Sequence, residues 1–523
     1  TGAQPAVVIN GQQGNSLFGS TIAPSRVRDL ITDTNLTNSF AADYSSVVAR
    51  SISAAGAVNS AFTQGVVTAI PAAPAYTNPI TERVETNTLA LQLQTVARMI
   101  AAGPALGVRR QVFFVQLGGW DMHGSQASAY GPLLAELSTA MKAFYDATVD
   151  GGWQMPGEPY TMSEGSEFMW WRSRMLGGRT NHWARNSFRM GEYDFKPQTR
   201  DSLGVDWPIE YKDIAPFYDR VEKMIGVYGT NTGLENHPSS GPGVLQTPPK
   251  FRVWETFLKA GGDAMNIPVV PARRAILTKK IDERSPCYWA SNCGRGCSIG
   301  AAFQTTTSLL PWAKATGKLT LATGAMVYEV MLGADGKATG VRYIDKATGA
   351  HKEAKGRVVI IAASTGETAR ILLNSKPNGR SEGVSNSSGQ VGRNLMDTVG
   401  SSVNAYFPQL EGRPRYNEDG AMGLHAYIPF WDYKGIKDGT AGTPRGYHVE
   451  IGGSFGDPGM GVGSGLDGYG SSLRTDVKRR YGSRINFTQR GEMIPNDDCY
   501  CEIDPDVVDQ WGIPVLRFHW KWA

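Results

Sequence analysis

The chain has 523 residues, 41% apolar and 19% charged, with 52 basic against 48 acidic side chains and a formal net charge of +4. Such a length predicts two or more domains, and the composition predicts a folded chain rather than a disordered one. The charge is spread without a basic block, so nucleic-acid binding has no electrostatic support. No apolar run approaches the roughly 20 residues that span a bilayer, so membrane association is expected only through a partner.

The first residues, from Thr1 to Gln4, include no Met and no signal-peptide pattern, so the expectation is a start that was processed away or is missing. Residues 1–85 are rich in Ala, Ser, Thr, Asn and Gly and read as loops with short helices. Leu89, Leu93, Val96 and Ile100 then recur at helical spacing, with Gly103 as a stop. Arg110 to Leu117 reads as a buried strand ending in Gly118-Gly119-Trp120-Asp121-Met122-His123. The next pattern predicts a helix with Pro132 in its first turn and Leu134, Leu137, Met141 and Phe144 on one face. Helix, strand and helix make residues 1–150 an α/β segment of its own character. Asp121 and His123, at a strand end, are either two ligands of an incomplete metal site or a capped turn.

The character changes near 151–153. Residues 170–190 then contain consecutive glycines, Gly177 and Gly178, flanked by Arg172, Arg174 and Arg179. Bare backbone with arginines can approach a flat ligand and a pyrophosphate, or form an ordinary turn with surface charge. Cys287, Cys293 and Cys297 follow with interleaved glycines. They read as thiolates around a soft metal centre or as small buried hydrophobes. Zinc would need a fourth ligand, and no histidine lies nearby. Val358 to Ala363 reads as a second buried strand running into a helix through Ser364-Thr365-Gly366-Glu367 and Ala369 to Leu373. From about 400 onward, apolar segments between Gly-rich loops suit an antiparallel sheet. Cys499-Tyr500-Cys501 reads as strand residues with both thiols on one face.

Leu-Gly-Gly-Arg-Thr-Asn-His-Trp at 176–183 resembles the flavin-contacting loop of the glucose–methanol–choline (GMC) oxidoreductases, in the form of their gluconate, fructose and pyranose-oxidising branches. Asp206-Trp207-Pro208 with Ala215 to Tyr218, Val358 to Leu373, Ser388 to Asp397, and Asp504-Pro505 with Asp509 to Pro514 resemble the same family in the same order. Thr398 stands where that family usually has His. For residues 151–523 the resemblance implies an α/β fold. It combines an FAD-binding nucleotide domain (mainly 151–400, discontinuous and incomplete, with the cysteine loop inserted at about 280–300) and an antiparallel-sheet substrate domain (401–523). It implies that Gly177, Gly178, Arg179, Thr180, Asn181, His182, Trp183, Val327, Ala362 and Ala363 contact FAD. His182 falls on a position that bonds the flavin covalently in several members and packs on it in others.

The cysteine spacing is similar to that of bacterial flavin-dependent glucose and fructose dehydrogenases, which implies a [3Fe–4S] cluster on Cys287, Cys293 and Cys297. The implied activity is oxidation of a CH–OH group of a sugar or sugar acid. Electrons would go to a cytochrome or quinone-type acceptor, with a small subunit, a cytochrome c subunit and a periplasmic setting. The family's GxGxxG has one match, Gly463 to Gly468, in loop-like surroundings, and reads as coincidence. The expected catalytic His lies beyond Ala523; none of His425, His448 and His519 occupies its place. Residues 112–126 resemble a different family, exported bacterial proteins of unknown function (DUF1501), distantly similar to sulfatases and alkaline phosphatases. The alternatives are therefore a metal-dependent hydrolase-like or binding role for residues 1–150, or an inactive composite of two family fragments.

Overall fold

The computed structural model describes residues 9–10 and 13–14 and, from 38 to 522, all but 64–66, 68–69, 104, 108–110, 119, 121–125, 149–150, 153–154, 290–296, 298, 380, 414–425, 431–437, 439–444, 454–465 and 467. The chain divides into two compact units. One holds residues 1–158 with 345–350, and the other holds 159–344 with 351–523.

The first unit is helical. Its helix α1 (Ser39–Phe62) runs for 24 residues where loops and short helices were expected. Ala and Ser, which suggest loops by composition, are tolerated along a helix once tertiary packing holds it. A hairpin, β1 (Tyr76–Thr77) with β2 (Val84–Glu85), leads to α2 (Thr88–Ala102). This helix begins and ends as the spacing predicts. Asn87 caps it by accepting from the Ala90 N–H at 2.7 Å, and Gly103 closes it. Helix α3 (Gln126–Thr148) lends Glu136, whose carboxylate accepts from the Thr88 N–H at 2.9 Å and the Thr88 hydroxyl at 2.7 Å.

Three expectations change here. Pro132 lies inside α3, past its first turn, because the helix starts at Gln126. Leu134 and Met141 are exposed, while Leu137 and Ala140 pack against Leu89 and Ala90 of α2. The segment 111–118 is not a strand: it pairs with no described strand, and Val112 is 99% exposed. Apolarity alone gives a strand nothing to bond to. Its contact is the Gln92 side chain, which accepts from the Gln116 N–H at 2.9 Å, while Val115 and Leu117 rest on the α2–α3 core.

The second unit opens with β3 (Thr161–Met162). Helix α4 (Tyr211–Ile225) follows, capped where the Glu210 N–H donates to Asp213 at 2.8 Å and closed by Gly226 at φ 81°. A side chain at Gly226 would collide with Leu277 at 2.1 Å, so both conformation and space require glycine there. Next come α5 (Val253–Ala264), β4 (Val270–Pro271), and the sheet β5 (Ala325–Leu332), β6 (Ala338–Asp345) and β7 (His351–Lys355), in spatial order β7-β6-β5.

Val358 to Ala363 pairs with no described strand, and Val358 and Ile360 are 77% and 82% exposed, so the second expected buried strand is not found among the described residues. The helix expected after it is present as α6 (Thr365–Asn374). The antiparallel expectation is met by β8 (Thr398–Val399), β9 (Ser402–Tyr406), β10 (Ala426–Ile428), β11 (Tyr447–Gly453) and β12 (Arg484–Glu492). Their order is β8-β12-β11-β10-β4, with β9 also on β12. Helix α7 (Gly470–Arg480) precedes β12. Finally β13 (Tyr500–Val508) pairs antiparallel with β14 (Pro514–His519), and β14 pairs parallel with β3.

Cross-strand register gives the larger sheet two different faces. Ala426 faces Ile451 and Ile451 faces Phe487, and with Val449, Ile485 and Trp254 of α5 they form one apolar core. Shifted by one residue, Tyr427 pairs with Glu450, His448 with Arg490, and Glu450 with Thr488, so the other face is polar and aromatic. Trp254 is 2% exposed. Trp254→Ala is expected to destabilise this unit by roughly 3–5 kcal/mol, the usual cost of emptying an aromatic core site, read as a lowered urea midpoint. An unchanged midpoint would mean that α5 does not close this core.

Candidate functional site

Gly177 and Gly178 both hold positive φ, 91° and 52°, and lead into a single 3-10 turn over Gly178–Asn181. The two glycines differ in surroundings. A side chain on Gly177 would meet Asn181 and Thr306 at 2.9 Å, whereas one on Gly178 would meet nothing within 4 Å. The loop therefore offers bare backbone to open space at Gly178 and is packed shut behind it. This is the form a flat cofactor needs for close approach.

The side chains of the loop divide by role. Thr180 donates to the Gly177 carbonyl at 2.6 Å and accepts from the Thr305 N–H at 3.1 Å. Asn181 donates to the Leu176 carbonyl at 2.8 Å. Trp183 turns into a core with Phe303. These three hold the loop from behind. Arg179 is exposed and donates to the Trp171 carbonyl at 3.5 Å. Arg172 and Arg174, expected to meet a pyrophosphate, do not: Arg172 is buried over the rings of Trp170 (4.8 Å) and Tyr160 (5.3 Å), and Arg174 is bonded to Glu367 at 2.6 Å.

His182 is half-buried, its ring edge-on to Trp171 and its Nε2 2.5 Å from the Ser173 hydroxyl. Burial, with Arg179 and Arg185 nearby, holds its pKa below the ordinary value, so the imidazole is neutral near pH 7.

The other expected cofactor segments meet this one at α6. Trp170 packs on Gly366 so closely that a side chain there would meet its ring at 2.7 Å, and Arg174 binds Glu367 in the first turn. Ala362 (exposed) and Ala363 (half-buried) lead directly into that turn. Val327 lies half-buried on β5, and β5 is tied to the far end of α6 by the Val330 N–H donating to Ser375 at 2.8 Å.

Cys287 and Cys297 are half-buried on one apolar cluster with Tyr228 and Ile276. Each sulfur accepts a backbone N–H, from Trp289 at 3.3 Å and Ala302 at 3.4 Å respectively. Among the described residues no three His, Cys, Asp or Glu side chains come together as a metal site. Cys293 lies outside the described residues, as do Asp121, His123, His425 and most of Gly463 to Gly468. Cys499 and Cys501 are buried, the latter with its thiol pKa raised to about 11 by burial, which leaves it unreactive.

A second group was not singled out from sequence. Only four residues past His182, Asn186 reaches the polar face of the larger sheet and donates to Glu450 at 2.7 Å. Phe188 stacks on Tyr427 at 4.5 Å, and its edge meets His448 at 5.2 Å. His448 Nε2 stands 3.6 Å from Glu450. Burial raises the Glu450 pKa, but His448, Arg490 and Asn186 outweigh it and keep the carboxylate ionised. Asn186 Oδ1, His448 Nε2 and His237 Nε2 are buried with no hydrogen-bond partner among the described residues. This aromatic surface with open polar atoms is suited to a hydroxylated ligand. The available signal was the alternation in Tyr-His-Val-Glu-Ile (447–451), which puts His448 and Glu450 on one face.

His237 is 7% exposed, and burial with Arg273 beside it lowers its pKa from 6.5 to about 4. The unfolded chain takes up this proton first as the pH falls. Stability is therefore fully present above pH 6.5 and is lost progressively toward pH 4, by roughly 3 kcal/mol from this group. His237→Gln is expected to flatten that part of the stability–pH curve. An equal slope in both proteins would place the titration elsewhere.

Comparison with known proteins bears on the same segments. A family model described as GMC oxidoreductase matches residues 97–399. The match begins well ahead of the compositional change near 151–153. The chain is 31% identical over 360 residues to 2-methyl-1,2-propanediol dehydrogenase of Mycolicibacterium austroafricanum, covering 66% of this chain and 62% of that one. It is 28% identical over 345 residues to the fructose dehydrogenase large subunit of Gluconobacter japonicus, covering 65% and 60%. It is 22% identical over 379 residues to the gluconate 2-dehydrogenase flavoprotein of Pantoea cypripedii, covering 66% and 61%. The matches span about three fifths of the length of these relatives. With more than half of its residues inside the family match, and with the glycine loop, α6 and β5 lying within it, the chain belongs to the GMC oxidoreductases.

Proposed function

We propose that this chain is the flavin-carrying part of a dehydrogenase that oxidises a CH–OH group of a sugar or sugar acid. The observation that carries the reading is the adjacency of two surfaces. The open backbone at Gly178 and the neutral His182 lead within a few residues to the polar face of Asn186, Phe188, Tyr427, His448 and Glu450. FAD, when bound, supplies the hydride acceptor for the alcohol carbon. Gly177 and Gly178 would give it backbone contact, Arg179 would meet its pyrophosphate, and His182 would anchor it covalently, with Val327, Ala362 and Ala363 beside it. Glu450 and His448 would orient substrate hydroxyls, one as acceptor and one through its open Nε2.

Cys287, Cys293 and Cys297 would hold a [3Fe–4S] cluster, which supplies one-electron transfer toward a cytochrome or quinone-type acceptor. The names of two relatives, a large subunit and a flavoprotein, support a multisubunit setting, and a small subunit and a cytochrome c subunit belong to the same reading. A periplasmic location belongs to the same reading.

The test is the absorption spectrum of the purified full chain before and after acid precipitation. Flavin bands with a broad shoulder near ~420 nm are expected, the shoulder disappearing in Cys287→Ser. Yellow colour should stay with the acid pellet of the parent and leave that of His182→Ala. A colourless parent would overturn the flavin reading, and a shoulder that survives Cys287→Ser would remove the cluster from these thiols.

Substrate orientation has its own readout. Glu450→Gln is expected to raise KM for sugar substrates by about tenfold or more, with a smaller change in kcat, as for a lost charge-assisted hydrogen bond in binding. An unchanged KM would take Glu450 out of the substrate surface.

A further inference from the structure

The β7-β6-β5 sheet has a second face that this function does not use. Along β5, side chains alternate, so Tyr328 points away from the side of Val327. On the Tyr328 side, the sheet and the β13–β14 hairpin line a half-open cavity of about 410 Å³. That size is in the range of small-molecule sites.

Its walls are apolar and flat. Ile344 and Ile513 are buried in one cluster with Met326, and the rings of Tyr328 and Trp511 pack against them. Trp511 and Tyr328 therefore offer ring surface to the cavity over a rigid aliphatic floor.

The polar groups of the lining differ in how far they are already committed. Asp504 is the carboxylate of the lining, and its oxygens are already occupied. One accepts from the N–H groups of Asp506 and Val507, at 2.9 and 3.2 Å. The other accepts from the Thr161 hydroxyl at 2.6 Å and from Arg517 at 2.9 and 3.1 Å. Asn374 donates one of its two N–H groups to the Pro514 carbonyl at 3.1 Å. His351 bonds the Tyr328 hydroxyl through Nδ1 at 3.0 Å, which leaves Nε2 for a ligand. Lys376, exposed at the mouth, has no ion-pair partner among the described residues. A ring-walled cleft with an unpaired ammonium at its mouth and an imidazole nitrogen beside it suits a flat body carrying one negative charge.

We infer that this cavity binds a small aromatic carboxylate, with its ring against Trp511 and Tyr328 and its carboxylate on Lys376 and His351. The site is separate from the cofactor loop and does not rest on the dehydrogenase reading.

The experiment is fluorine NMR titration of the full chain with 4-fluorobenzoate, and with the neutral 4-fluorobenzyl alcohol as its match in size. Saturable binding of the carboxylate is expected, with the alcohol weaker by about tenfold or more, the value of one charge-assisted contact. Lys376→Glu, a surface change that leaves the core untouched, should weaken the carboxylate by at least about tenfold and leave the alcohol unchanged. Glu450→Gln should leave both titrations unchanged. The proposal is overturned by absence of saturable binding, by equal affinity for the two probes, by an unaltered titration in Lys376→Glu, or by loss of binding in Glu450→Gln, which would put the probe on the polar sheet face.

Discussion

A buried chain of charges holds the cofactor segments together. Glu367, in the first turn of α6, binds Arg174 at 2.6 Å and lies 3.7 Å from Arg370. Arg370 in turn binds Asp509 at 2.8 Å and the carbonyls of Ile513 and Pro514. All four side chains are largely withdrawn from water, so each charge needs the next one. The network fixes the segment before the glycine loop, the start of α6 and the β13–β14 hairpin in one arrangement.

A comparable hub orients the segment between the loop and the larger sheet. Arg189 is held by Glu222 at 2.6 and 2.9 Å, by Asp219, and by the Tyr211 hydroxyl at 2.8 Å, and Ser240 donates to the same Glu222 at 2.7 Å. Arg189 follows Phe188 directly, so this anchoring sets where Phe188 stacks on Tyr427. The sheet then acts as a partition: the Trp254 core packs behind it, and the opposite register row is polar and aromatic.

What could be read from sequence was local. Asn87 and Gly103 mark their helix because capping depends on neighbours in the chain. Gly177 and Gly178 signal a positive-φ turn because few other residues tolerate one. The two apolar runs at 110–117 and 358–363 were misread because a strand requires a partner distant in sequence, and hydrophobicity does not name one. The row of His448 and Glu450 was overlooked because its meaning depends on Asn186 and Phe188, some 260 residues earlier in the chain. The arginines near the loop carried the right charge for a pyrophosphate. Two of the three were committed inside the protein, to aromatic rings and to Glu367, which composition cannot show.

The unpaired stretch before α6 bears on how the molecule behaves in company. Val358, Val359, Ile360 and Ile361 are β-branched and uncharged, pair with no described strand, and alternate in exposure to solvent. Backbone in this state is a template for any other extended chain, and the side chains favour the match. Self-association through this segment would rise with protein concentration, and a flanking charge such as Arg357 acts as a modest gatekeeper against it.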